Sequence, residues 1–501
     1  MNLVMLLEMA AETFPDRIAI HSSDGTDLSY DTLLRAARAA GNRFAESGCQ
    51  YVGLLDTNSF AVPIAIFGAA YAGVPYVPLN YRLTVPELNE LVARIVPAIL
   101  IAGGDYAASL DIPPNVQLIS TDEFTKAALE GGEARAAVGK ASDTAIQLFT
   151  SGTTGKPKAA LLRHENLMSY ILGTVEFGSA VDEEAILVTA PPYHIAGISS
   201  VLSSTYACRR MVQLPNFSPE EWLRLCREKA VTNAFLVPTM LARIVDHLEV
   251  SGESVELPAM RAMAYGGGKM PSPVIEKAIR LWPHVDFTNA YGLTETSSTI
   301  ALLGPDDHRD AMQSDDPEVR KRLGSVGRPL PTVEIEVRDD DNGLPAAPGQ
   351  SGLIFVRGEQ VAGEYHGSGS QLDAEGWFPT KDRGYIDEGG FLFLEGRDDD
   401  VIVRGGENIS PGEIEDVLLD HPAVAEAAVV AVPDVQWGEA VAAAIVLKTG
   451  KNASVAELQE WVKQRLRSSR VPVSIRFLDQ LPYNETGKLL RRLVRQEFAG
   501  V

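Results

Sequence analysis

The chain has 501 residues, of which 45% are hydrophobic and 22% charged. That composition suits a globular protein with ample core and excludes collagen-like, disordered and disulfide-scaffold classes, while the length is a prior for two or three domains. The 44 basic and 67 acidic residues leave a net charge of −23, which argues against generic electrostatic binding to nucleic acid or an anionic membrane.

The opening MNLVMLLEMAAETFPDR is apolar but carries Glu8 and Glu12 and no basic residue before Arg17. A signal peptide puts its positive charge first, so none is expected here. YVGLLDTN (51–58) predicts a buried strand followed by a turn, and AVPIAIFGAAYAG (61–73) a helix of small and apolar residues. The charge-free run 57–81 contains Pro63, Pro75 and Pro78, so it reads as strands and turns rather than a membrane span. AILIA (98–102), EAILVTA (184–190), VTNAFLV (231–237) and MRAMAYGGG (260–268) each predict an apolar strand ending in a loop. GGEARAAVGKAS (131–142) reads as an exposed linker. SPEEWLRLCREKA (218–230) predicts a helix with a serine cap and an acidic first turn. Strands alternating with helices imply mostly parallel sheets covered on both faces, with ligands beyond the strand C-termini.

From about residue 330 the pattern changes. TVEIEVRD (332–339), GLIFVRG (352–358) and GFLFLEGR (390–397) are short strands that predict a smaller β-rich unit closing the large region. Asp398, Asp399 and Asp400 then form a like-charge run expected to be a solvated junction. Beyond it, SPGEIEDVLLDH (410–421) and SVAELQEWVKQRLRS (454–468) predict helices, and VAEAAVVAVP (424–433) and EAVAAAIVLK (439–448) predict strands, about the size of a separate domain. From Lys448 onward 11 basic residues face 5 acidic ones, a local +6 that reads either as a solvated face or as a surface for a polyanion. Cys49, Cys208 and Cys226 are scattered without metal or disulfide spacing, which fits a reducing compartment and a cytoplasmic location.

LFTSGTTGKPK (148–158) carries the clearest chemistry. A strand runs into Thr150, Ser151, Gly152, Thr153, Thr154, Gly155 and Lys156, with Lys158 just after. Glycines let backbone N–H groups face an anion, the hydroxyls add donors and the lysines add charge, so a phosphate chain is the natural guest. It is not a Walker A loop: Pro157 follows Gly155-Lys156, and Thr150 stands where the first glycine is needed.

This segment resembles the phosphate loop of the adenylate-forming superfamily, which includes acyl-CoA synthetases, luciferases and peptide-synthetase adenylation domains. Six further motifs of that superfamily follow in order. PPYHIAG (191–197) resembles the motif whose histidine, here His194, lies by the acyl pocket. YGGGKMP (265–271), with Gly266, Gly267 and Gly268, resembles the strand end against which adenine lies. NAYGLTET (289–296) resembles the central motif: Asn289, Ala290, Tyr291 and Gly292 would line the nucleotide, Tyr291 stacking on adenine, Thr294 bonding the α-phosphate and Glu295 holding Mg²⁺ together with Thr150. One protein carboxylate is enough for a hard cation shared with phosphates. GWFPTKDRGYID (376–387) resembles the motif whose aspartate, here Asp382, takes both ribose hydroxyls. GRDDDVIVRGGENISPGEIE (396–415) resembles the hinge region, with Arg397 on ribose or phosphate and Asp399 at the pivot. NETGKLLR (484–491) resembles the closing motif, with Lys488 as the catalytic lysine. Singly, each has a bland reading, such as a core histidine or a solvated lysine; seven in order do not.

The resemblance implies an α/β fold with a large N-terminal domain (1–397) of stacked, mostly parallel sheets and helices plus a small β-barrel-like subdomain. A small mobile α+β C-terminal domain (398–501) follows. It implies an enzyme that uses ATP and Mg²⁺ to convert a carboxylic acid to an acyl-adenylate, then transfers the acyl group to the thiol of coenzyme A with release of AMP. Catalysis would fall to Lys488, Thr294, Glu295 and His194. Coenzyme A would meet Gly405, Gly406, Trp437 in DVQWGE (434–439), and Arg470. The absence of an appended carrier domain favours coenzyme A; SSRVP (468–472), which lacks the usual aromatic and lysine, keeps a standalone ligase loading a separate carrier protein open. A luciferase-like oxygenase and a non-catalytic relative are further alternatives. The acyl pocket is expected from His194, Ile195, Gly197, Val237, Pro238, Gly266 and Ala290; with no acid in AFLVPTM (234–240), it suits a medium-chain, branched or aromatic acid without an amine. No nucleic acid and no integral membrane association are expected, and a homodimer is compatible with the sequence. Ala159, Lys269 and Lys381 depart from the usual motifs, which carry Gly, Pro and Gly at these positions.

Overall fold

The structure is a computed structural model, and it describes residues 1–21, 25–131, 137–150, 157–340, 342–405, 407–483 and 489–499. Ser151 to Lys156, Gly406 and Lys488 therefore lie outside the described residues, as do 132–136 of the expected linker.

Among the described residues the strands form four sheets. One has nine strands, whose interior runs Asp286–Leu293, Ala262–Gly266, Asn233–Leu236, Ala185–Val188, Arg210–Gln213 and Ile18–His21, all neighbours parallel. A second, of eight strands, has Thr144–Thr150, Tyr76–Pro78, Tyr51–Leu55, Ala98–Ala102 and Val116–Ser120 parallel at its heart. Between these two lies a shared helical layer. Its helices Val4–Thr13, Tyr30–Ser47, Ala61–Ala72 and Ile195–Ala207 contribute to one core with Ile20, Val188 and Met211 of the first sheet and Leu54, Ile101 and Ile146 of the second.

This sandwiching explains the unusual sequence 61–73. Ala61 to Tyr71 are all buried, so the helix has no polar face to show. At 12 residues it spans about 18 Å, far short of the ~30 Å hydrocarbon core of a bilayer. It packs so closely on Tyr30–Ser47 that a Cβ on Gly68 would lie 2.8 Å from the Ala40 methyl. Among the described residues no helix is long and apolar enough to cross a membrane.

The expected β-rich unit after residue 330 is a four-stranded antiparallel sheet, Glu334–Arg338, Gly352–Arg357, Phe378–Ile386 and Leu392–Arg397. The fourth sheet is built wholly from residues after Asp400: Glu407–Ile409, Ile402–Arg404, Gly438–Leu447 and Val424–Asp434, with Ser474–Phe477 parallel to Gly438–Leu447. Helices Pro411–Leu419 and Val455–Lys463 pack against it. The second of these ends at Lys463 rather than 468, and Ser468–Arg470 forms a 3-10 turn instead. The capped helix at 218–230 is present as Pro219–Glu228, with the Ser218 hydroxyl accepting the Glu221 N–H.

Two charge expectations are refined. The aspartate run is not simply solvated: Asp398 pairs with Arg383 at 3.3 Å and Asp400 with Arg491 at 3.4 Å, leaving Asp399 exposed between them. The basic excess of the last segment is spent in part inside the small lobe. Arg491 pairs with the buried Glu415, and Arg470 with Glu407 and Glu413. A charge counted along the sequence is not a surface charge when its partners come from strands and helices far away.

Candidate active site

Parallel strands end on one side of a sheet, so the loops after Ala262–Gly266 and Asp286–Leu293 lie next to one another. Gly266 pairs with Ala290, and a Cβ on Gly266 would lie 2.2 Å from the Ala290 carbonyl oxygen. Gly267, at φ +81°, and Gly268 face Val237 and Pro238: a Cβ would sit 3.6 Å and 3.8 Å from them. The expected acyl-pocket residues Val237, Pro238, Gly266 and Ala290 are thus brought together. His194 precedes the helix Ile195–Ala207, where Gly197 lies so near Pro191 that a Cβ would be 2.4 Å from its carbonyl oxygen. Only glycine lets that first turn close.

Beyond the strand end, Thr294–Thr296 forms a 3-10 turn, and Ser297 (φ 58°) reverses the chain into Ser298–Leu303. The turn carries Glu295, which is 9% exposed. Its Oε1 accepts the Tyr365 hydroxyl at 2.6 Å, and its carbonyl accepts the N–H groups of Ala362 and Gly363. Burial and the neighbouring Glu295 push the Tyr365 phenol well above its ordinary range, so it stays protonated and donates. The Lys158 ammonium sits over the Tyr365 ring, 5.5 Å from its centre.

A second acidic point lies on the four-stranded sheet. Asp382 accepts from the Tyr291 hydroxyl at 2.6 Å on one oxygen and pairs with Arg397 at 2.9 Å on the other. Asp382 and Arg397 are register partners on neighbouring antiparallel strands, so the pairing joins them across a single hydrogen-bonded rung. Burial opposes the Arg397 charge, but Asp382, with Tyr291 and Glu295 nearby, outweighs it and holds the guanidinium protonated. Burial, then Asp382, raises the Tyr291 phenol. Tyr291 is therefore a core residue, 9% exposed, whose hydroxyl positions Asp382, a role its motif did not reveal. Asn289 is likewise occupied, its amide donating to the Ser325 carbonyl at 2.9 Å.

Lys381, beside Asp382, adopts φ +62°. A lysine there takes up the left-handed conformation that glycine adopts freely, at a steric cost. Asp382 is still held in place, its N–H donating to the Thr380 hydroxyl at 3.1 Å. Ala159 is accommodated as a buried strand residue paired with Phe149.

The strands Thr144–Thr150 and Lys158–Arg163 are antiparallel with Thr150 opposite Lys158, so they present the phosphate-loop segment between their ends. Arg94, which no motif flagged, braces both ends: its guanidinium lies 4.8 Å over the Phe149 ring and donates to the Pro157 carbonyl at 2.8 Å. Tyr365 and Arg94 were invisible to motif reading because each is a single residue in a segment that no motif covers. Their partners lie 70 and 63 residues away in sequence.

In the small lobe, Gly405 (φ +58°) donates its N–H to the Trp437 carbonyl at 2.8 Å, and a Cβ on Gly405 would lie 2.7 Å from the indole. Two residues singled out for the thiol substrate thus touch, and Trp437 remains 44% exposed. Arg470 lies with Arg397 in the wall of a cleft of about 240 Å³ between the lobes. Among the described residues no group of three acidic, histidine or cysteine side chains could hold a metal. Glu295 keeps one carboxylate oxygen outside its bond to Tyr365, so the donor set fits a cation that takes most of its ligands from phosphate and water.

A buried carboxylate and a paired aspartate–arginine beside a glycine-lined strand end, with Arg397 also lining the cleft between unequal lobes, suit a nucleotide ligand. The model for the AMP-binding enzyme matches residues 7–366, and that for the AMP-binding enzyme C-terminal domain matches 413–488. The chain belongs to the AMP-binding enzyme family, within the adenylate-forming superfamily, and is an AMP-forming acid–thiol ligase. It is 32% identical to a 2-succinylbenzoate–CoA ligase of Bacillus licheniformis, over 97% of this chain and 98% of that one. It is 31% identical to a feruloyl-CoA synthase of an Amycolatopsis species, over 95% and 94%. Among solved structures, the o-succinylbenzoate CoA synthetase of Bacillus subtilis in complex with its acyl-adenylate intermediate superposes with a TM-score of 0.82, at 29% identity, over 99% of this chain and 98% of that one.

Proposed function

We propose that the protein joins an aromatic or similarly apolar carboxylic acid to coenzyme A, working from the cytoplasm through the domain division 1–397 and 398–501. The carboxylate attacks the α-phosphorus of ATP, pyrophosphate leaves, and the acyl-adenylate forms. The thiol then adds to the acyl carbon, AMP leaves with the bonding pair, and the thiol proton passes to solvent. The observation that carries this reading is the convergence of Glu295 with Tyr365, and of Asp382 with Arg397 and Tyr291, beside the glycine end of Ala262–Gly266.

Asp382 still has a second lone pair on each oxygen, enough to accept both ribose hydroxyls beside its existing bonds. Arg397 supplies fixed positive charge next to them. Thr294 opens the turn that carries Glu295 and donates to the α-phosphate. Lys158 and the segment 151–156 neutralise the outer phosphates, and Lys488 bridges carboxylate and α-phosphate; removal of one such charge costs roughly 10²–10³-fold in rate. Bound magnesium, held by Glu295 and Thr150, would neutralise phosphate charge in that step. His194, Ile195, Gly197, Val237, Pro238, Gly266 and Ala290 wall the acyl group, and the relatives named for aryl acids support an aromatic guest.

The exposed Trp437 beside Gly405 supports coenzyme A as the thiol. Arg470, already neutralised by Glu407 and Glu413, supports the second reading, in which a carrier protein brings the thiol and needs no nucleotide phosphate site. The deciding experiment measures pyrophosphate release with benzoate, ferulate, 2-succinylbenzoate and octanoate, each with and without coenzyme A. Acid-dependent pyrophosphate and a coenzyme A thioester are expected with an aryl acid, and Lys488→Ala should slow pyrophosphate release by roughly 10²–10³-fold. Acid-dependent pyrophosphate with no consumption of coenzyme A would select the carrier reading. A chain that releases no pyrophosphate with any of the four would overturn both.

A further inference from the structure

We propose that Lys269 is a positioning residue of the acid-activating half-reaction: it docks the helix Pro411–Leu419 of the small lobe onto the glycine end of Ala262–Gly266. The proposal rests on the functional reading above and on Lys488 as the lysine of that half-reaction.

Lys269 follows Gly266, Gly267 and Gly268 directly, where the related motifs carry proline. Its backbone belongs to the large lobe, but its side chain leaves it. The ammonium lies 2.5 Å from Asp416 Oδ1 and 3.5 Å from the Gly412 carbonyl oxygen. Residues 412 and 416 are four apart on one helix and so share a face. That face is pressed against the last strand of the large lobe: the Ser410 hydroxyl donates to the Glu395 carbonyl at 2.6 Å, and a Cβ on Gly412 would lie 2.6 Å from the same oxygen. A proline at 269, with no charged arm, could not span to this helix.

The same helix holds the tail segment. Glu415, next to Asp416, is buried and takes both terminal nitrogens of Arg491, one at 2.9 Å. Arg491 also donates to the Val429 carbonyl at 2.7 Å. It stands three residues after Lys488 in sequence, so the helix gripped by Lys269 on one face holds the start of helix Arg491–Gln496 on another. Lys269 and Asp416 are 46% and 58% exposed. A pair so open to water is weak, which suits a contact that must break when the small lobe turns.

The test uses the full chain with Lys269→Glu, Asp416→Lys and the double charge swap. Single-turnover pyrophosphate release is followed with benzoate, ferulate and 2-succinylbenzoate in parallel, and thioester formation from added benzoyl-adenylate and coenzyme A is followed separately. Each single variant should slow pyrophosphate release by about three- to ten-fold, the scale of a half-exposed pair turned into repulsion. Thioester formation should stay within about two-fold of the native rate, and the swap should restore pyrophosphate release to within about two-fold. A merely structural role would slow both halves and would not be rescued. Small-angle scattering of the unliganded chains gives a readout that needs no acid: the single variants should be less compact than the native chain and the swap as compact. Native release rates in both single variants, or a swap as slow as either, would overturn the proposal. If the native chain turns over none of the three acids, the functional reading falls, and an unchanged scattering radius in Lys269→Glu then overturns the docking itself.

Discussion

Replacing Arg491 by methionine removes the partner of a charge that cannot reach water. Glu415 is 6% exposed, and its carboxylate is satisfied by Arg491 and by the Val429 N–H at 2.7 Å. Burial alone would raise Glu415; Arg491 and the Val429 N–H outweigh it and hold the group below its ordinary range. Breaking a buried pair from one side costs about 3–5 kcal/mol, whereas replacing both members with apolar residues of similar volume is near neutral. Arg491→Met should therefore destabilise the small lobe by about 3 kcal/mol, and Glu415→Leu with Arg491→Met should recover most of it. Urea unfolding followed by tryptophan fluorescence reads this directly, because Trp461 donates its indole N–H to Val417 of the same helix at 2.8 Å. The effect carries a pH signature. In the native chain the depressed group contributes stability above the unfolded value of about 4.3, lost as pH falls through the folded value. In Arg491→Met the main counter-charge is gone and burial outweighs the remaining Val429 N–H, so the group titrates above that value, and the gap between native and variant is widest near neutral pH and narrows in acid. A variant within about 0.5 kcal/mol of native at pH 7, or a gap independent of pH, would refute the reasoning.

Three further outcomes are expected. His164, driven down to about 4 by burial against an ordinary 6.5, accepts the Leu3 N–H, so the folded chain binds it neutral. Its contribution is complete above pH 6.5 and is lost as pH falls toward 4, at about 1.4 kcal/mol per pH unit, and His164→Asn should flatten that stretch of a denaturation-versus-pH curve. Lys381→Gly should raise the urea midpoint by the equivalent of about 0.5–1 kcal/mol, the left-handed strain relieved less the added unfolded-state entropy, with pyrophosphate release unaltered. Tyr365→Phe strips a hydrogen bond from the Glu295 carboxylate and should raise KM for magnesium–ATP by about ten-fold at little change in melting temperature, a result checked by steady-state titration.

The order of strands and helices was legible along the chain because apolar periodicity and caps act locally. The runs at 51–58, 98–102 and 260–268 became strands, and Ser218 capped its helix. The buried helix Ala61–Ala72 was recognisable as apolar, yet only the second sheet on its far side explained why it lacks a polar face. Motif residues such as Asp382, Arg397 and Glu295 were visible because glycines, charges and hydroxyls cluster at fixed short spacings. Their partners were not. Tyr365 reaches Glu295 from 70 residues away, Arg94 braces a loop 63 residues off, and Lys269 meets Asp416 across two lobes. Charge at 398–400 and beyond 448 looked free in one dimension, yet Asp398, Asp400, Arg470 and Arg491 proved paired in three. Local chemistry is written in neighbouring residues; which hydroxyl satisfies which carboxylate depends on the distances that packing alone creates.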